Sequence, residues 1–165
     1  MIPDDIQSHL REHFPLREDL RVYVLVDGIQ FHKHTSTAIQ PQAGSVIALF
    51  AGTRDERLAP AGPWLIDPAH AKGIVRIAAE MEPALPGVVW LISALEIEKQ
   101  AQALRQMIDM RLPNGRELMV RFWDPRALVS LYHSVGREKW RAHFGGVVEW
   151  HFIHQGNRIY IGNHA

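Results

Sequence analysis

Apolar positions along the chain fall into short unbroken runs and into stripes at helical spacing, with turn residues between them. Residues 22–26 and 87–92 are runs of strand length, bounded by Asp27-Gly28 and by Ser93, and residues 45–50 and 63–66 predict two shorter strands. Between the runs lie stripes that each give a helix one buried face: Ile6, Leu10 and Phe14; Ile74, Ile77, Ala78 and Met81; Ile97, Ala101, Leu104 and Ile108; and Leu128, Leu131, Tyr132 and Val135. Residues 35–39 suit a helical turn closed by Pro41, and residues 138–144 a short helix stopped by Gly145-Gly146. Residues 147–154 and 158–161 flank Gln155-Gly156-Asn157 and predict a closing hairpin.

Residues 112–128, LPNGRELMVRFWDPRAL, join three of these devices. Asn114-Gly115 supplies a tight reversal, residues 118–123 read as a buried strand, and Asp124-Pro125 starts a helix. In such a strand Leu118, Val120 and Phe122 face one way and Met119, Arg121 and Trp123 the other. Arg121 then needs a partner among apolar neighbours, and Asp27, at the end of another apolar strand, is the expected one in a structural ion pair. Asp67-Pro68 repeats the helix-start device, and Ser93 with Glu96 has capping-box spacing.

Strands and helices interleave without repeats or a linker, which predicts an α/β fold: a single compact domain over residues 1–165, with a mixed sheet flanked by helices and a C-terminal hairpin. At 165 residues, 47% hydrophobic and 22% charged, the chain can bury a substantial core. Lys plus Arg and Asp plus Glu both number 18, so net charge gives no reason to expect nucleic acid or an anionic membrane as partner. The absence of cysteine excludes disulfides, thiol catalysis and Cys-ligated zinc. With no basic-then-apolar segment at the N-terminus, a cytoplasmic location is the expectation.

Candidate chemistry is sparse. No Gly-x-Ser-x-Gly elbow or phosphate-binding glycine loop is present, and no cofactor is expected. The 10 histidines raise a metal-dependent hydrolase as the alternative reading, using His32 and His34 on one side of an extended segment together with Asp27. That set lacks the spacing of a zinc hydrolase, so no metal site is expected. For binding, the long polar loop at residues 52–62 offers Arg54 and Arg57, and Arg126 sits in a first helical turn where the helix dipole disfavours it. Of the five tryptophans, Trp90 and Trp123 belong inside, whereas Trp140 and Trp150 are the candidate surface anchors, Trp150 beside a free strand edge.

Four stretches also stand in a fixed order: YVLVDGIQ at residues 23–30, ALFAGT at 48–53, GPWLID at 62–67, and NGR at 114–116 followed by RFWDPR at 121–126. Together they resemble the type VI secretion effector chaperone or adaptor family, also called Tap or TEC proteins and long catalogued as a domain of unknown function. The likeness runs from about Arg21 to the final hairpin. It implies a protein that is not an enzyme, that binds a toxic effector in the bacterial cytoplasm, and that helps mount it on the valine-glycine-repeat spike protein (VgrG). Many relatives continue into a further C-terminal region, whose cargo contacts are not carried over.

Overall fold

A computed structural model describes residues 1–163. Its centre is a six-stranded sheet made of β1 (Arg21–Asp27), β2 (Val46–Ala48), β3 (Pro63–Ile66), β4 (Val88–Ser93), β7 (Glu149–His154) and β8 (Asn157–Gly162). The spatial order is β2-β3-β1-β4-β7-β8, and every pairing is antiparallel. β1 and β4 hold the middle because their side chains are apolar on both faces, as a doubly covered strand requires.

The period of two sorts these side chains into two cores. Tyr23, Leu25, Leu65, Val89, Leu91 and Trp150 meet α4 (Ile97–Met107) and α5 (Pro125–Phe144). Val24, Val26, Ile66 and Trp90 meet α1 (Asp4–His13), α2 (Gly28–Thr35) and α3 (Lys72–Met81) on the opposite face. The α/β domain is thus three layers deep. Among the described residues, no helix is long and apolar enough to cross a membrane.

Several joints follow local rules. Asp124 accepts the amide of Arg126 at 2.9 Å with Pro125 opening the helix, as expected of α5. Gly136, at φ 78°, breaks that helix into two arms, the second of which is the short helix predicted before Gly145. The closing hairpin turns through Gln155 and Gly156, both at positive φ, the conformation a two-residue turn between twisted strands demands. Gly28 must be glycine for another reason: a Cβ there would lie 2.2 Å from the carbonyl oxygen of Pro60.

Other joints depart from the local reading. The chain becomes helical at Gly28, directly after β1, and not at residues 35–39, because Asp27 caps α2 through the amides of Ile29 (2.8 Å) and Gln30 (3.4 Å). Asp67 binds the amide of Ala69 and starts a turn, with α3 following only at Lys72. Ser93 bonds Gln100 and the amide of Leu95, so the capping box with Glu96 does not form.

The largest departure concerns residues 118–123. Only Glu117–Met119 is strand (β6), and it pairs with β5 (Asp109–Arg111) in a separate two-stranded ribbon. The ladder ends where Val120 donates to the Ile108 carbonyl at 2.6 Å, and residues 121–124 then turn, closed by the Asp124 amide on Arg121. A strand would send Phe122 and Trp123 to opposite faces; the turn sends both into one core, their rings edge to face at 5.1 Å.

Sequence-distant charges bind the far edge of the sheet to its helices. Glu82, buried at the end of α3, accepts the indole N–H of Trp90 at 3.1 Å and is paired with Arg158 of β8, which also reaches Asp5 of α1 at 2.8 Å.

Candidate functional site

The β5–β6 ribbon stands outside the main sheet, so no second layer covers both of its faces. Leu118 is 43% exposed and Met119 38%, adjacent strand positions that point to opposite sides. Between the ribbon and the first arm of α5 runs an open groove of about 380 Å³. Met110 and Leu118, paired across the ribbon and therefore on one face, line one wall with Met119 at its edge, Leu131 and Val135 line the other, and exposed Arg121 stands at the rim. Apolar side chains left in contact with water in this way make the groove a candidate binding surface.

The neighbouring loop is tied to this ribbon. Arg54 donates to Asp109 at 2.7 Å and to Glu117 at 3.2 Å, one contact on each strand. Its guanidinium is held more firmly protonated by the Glu117 hydrogen bond first and by Asp109 as well. Part of the loop, Glu56–Ala61, winds into a 3₁₀ turn, and Arg57 on it is exposed.

The remaining sequence-selected residues fall elsewhere. Trp140 and Trp150 are both 0% exposed, which corrects their assignment as surface anchors. Trp150 lies on β7, one strand in from the edge, and its ring faces the α4–α5 side, where it meets Phe122, Trp140 and Phe144 edge to face at 5.6–6.1 Å. Arg126 is exposed, but its guanidinium folds back onto the Asp124 carboxylate through Nε (3.1 Å) and Nη2 (2.9 Å). The cap therefore compensates the dipole penalty that made this residue look like a partner contact.

The Asp27–Arg121 ion pair is also corrected. Asp27 is buried, but its carboxylate serves the α2 amides, while Arg121 projects to solvent and acts on it only at longer range. Burial pushes the Asp27 carboxyl above its ordinary value, against the opposing pull of those amides and of Arg121. The hydrolase set comes apart for the same local reason. His32 and His34 lie on helix α2, two positions apart and therefore on different sides, both exposed, and Asp27 is engaged as the cap.

One constellation that sequence reading did not assemble lies on the other face of the sheet. His9 of α1 and His151 of β7 each place Nε2 at 2.8 Å from the same oxygen, Oε2 of Glu149. Glu149 and His151 are buried, and the three potential ligand atoms lie within 4.8 Å of one another. Tyr160 stacks over His151 at 5.4 Å and tilts against His9 at 4.6 Å. Burial first, then the neighbouring His151 and His13, depress the His9 imidazole against the attraction of Glu149. The i, i+2 spacing of Glu149 and His151 on a strand was a legible sign of one shared face; their meeting with His9 was not.

A family model described as a domain of unknown function, DUF4123, matches residues 22–142. No curated protein and no solved structure matches the chain.

Proposed function

We propose, for a chain that belongs to the DUF4123 family of domains of unknown function, the role of a type VI secretion adaptor or chaperone that binds a cognate effector and helps load it onto the VgrG spike. In this reading the protein is a cytoplasmic, non-enzymatic binding module whose partners are two other proteins. The resemblance carried by residues 23–30, 48–53, 62–67 and 114–126 supports it, since all four stretches lie inside the matched segment. The observation that carries the binding half is the groove: Leu118 stays 43% exposed on the ribbon, across an open apolar cleft from Leu131 and Val135.

Docking an apolar segment of the effector there would remove the Leu118 side chain from water, which contributes about 1.5–3 kcal/mol when such a side chain is fully buried. Arg121 at the rim would favour an acidic flank on that segment and steer its approach. The contact with the spike rests on the resemblance alone.

Co-expression with a candidate effector taken from the genes adjoining that of this chain tests the reading. Wild type should raise the soluble yield of the effector and elute with it from gel filtration, and Leu118→Glu, a change at an exposed position, should abolish co-elution while leaving thermal stability intact. Absence of a wild-type complex would overturn the adaptor role. Undiminished co-elution of a folded Leu118→Glu protein would instead remove the groove as its seat.

A further inference from the structure

We propose that His9, Glu149 and His151 form a binding site for one Zn²⁺ ion that fastens helix α1 to strand β7. Two imidazole nitrogens converge on a single carboxylate oxygen at 2.8 Å each. His151 satisfies hydrogen-bond geometry to Glu149; Nε2 of His9 is buried, aimed into the cluster, and makes no hydrogen bond there. A buried ring nitrogen without a hydrogen bond is costly, and a metal ion between the three atoms removes that cost for His9.

The donor set fits the ion. Neutral imidazole and carboxylate are zinc ligands at about 2.0–2.2 Å, and two histidines with one glutamate leave a fourth position for water. Ligand atoms around such a centre stand about 3.3 Å apart by tetrahedral geometry. The three atoms here already lie within 4.8 Å of one another, so small side-chain rotations open the required space. The ring of Tyr160 packs on both imidazoles, and His13 stacks on His9 at 4.1 Å, so the ligand rings are already oriented. His9 precedes the segment matched by the family model, and Glu149 and His151 follow it, so the ion would join the two flanks of the chain around the family domain.

The test uses the full chain stripped of metal and titrated with Zn²⁺ alone by calorimetry, with the melting temperature read in parallel. One site per chain with a Kd of about 1 μM or tighter is expected, together with a rise in melting temperature. His9→Gln should weaken binding by about 100-fold and remove the rise, whereas His34→Gln, at an exposed helix position, should change neither. X-ray absorption of the zinc-loaded chain should show two imidazoles and a carboxylate. Should His9→Gln not fold, Glu149→Gln, which keeps the size of the side chain and removes its charge, is expected to show the same loss. Wild-type binding weaker than about 100 μM, or binding unchanged in whichever variant folds, would overturn the site and assign any zinc to surface histidines.

Discussion

Arg54 and Asp109, 55 positions apart, are joined by a 2.7 Å hydrogen bond that latches the loop at residues 52–62 onto the ribbon beside the groove. Glu117 receives the other arm of the same guanidinium, so one side chain spans both ribbon strands. An isolated two-stranded ribbon is marginal in water, which makes such a clasp matter locally even where it matters little globally. All three side chains are substantially exposed, so Arg54→Ala should leave overall stability almost unchanged. Tryptic cleavage after Arg111 and Arg116 should nonetheless become faster in the folded protein. An unchanged cleavage rate would show that the ribbon is held by its own ladder and by the Val120–Ile108 bond alone.

Trp150→Ala distinguishes a core role from a contact role. The ring is enclosed by Phe122, Trp140 and Phe144, so truncation leaves a large cavity and should destabilise by about 3–5 kcal/mol in urea titration. A variant within about 0.5 kcal/mol of the parent would contradict this packing.

Tyr23 sets a pH dependence at the alkaline end. Its hydroxyl donates to the Leu95 carbonyl at 2.8 Å, and burial raises its pKa to about 12. The folded value lies above the ordinary tyrosine value of about 10, so the folded state holds the proton more tightly than the unfolded chain. Its stabilising contribution is therefore complete below pH of about 10 and is lost as pH rises towards about 12. Tyr23→Phe should lower stability at pH 8 by about 1 kcal/mol for the missing hydrogen bond and flatten the decline above pH 10. A decline as steep in Tyr23→Phe as in wild type would assign it to other groups.

What could be read from the sequence was what neighbouring residues decide. The runs at residues 22–26, 63–66 and 87–92, the α4 stripe and the Asp124-Pro125 start all act within a few positions, and each appears where expected. The failures have one form. A period-two reading of residues 118–123 assumed that an apolar run remains extended, but the ladder it needed stops at Met119, and Phe122 and Trp123 are buried by a turn. The same reading gives Arg121 a buried partner, and the turn instead leaves it exposed. Trp140 and Trp150 are expected outside because local sequence does not show that the second arm of α5 brings Trp140 and Phe144 onto Trp150 of β7. Likewise no local signal brings His9 to Glu149, or Arg54 to Asp109 and Glu117, since these contacts are made by the sheet order and not by spacing.

The groove is the central claim, and hydrogen–deuterium exchange of the chain with and without its bound effector tests it most directly. The account predicts that complex formation slows exchange at residues 109–119 and 128–135, on the two walls of the groove, and leaves β8 and the remote helix α3 unchanged. Protection confined to β8, or to the loop at residues 52–62, with the groove walls exchanging as in the free chain, would contradict it.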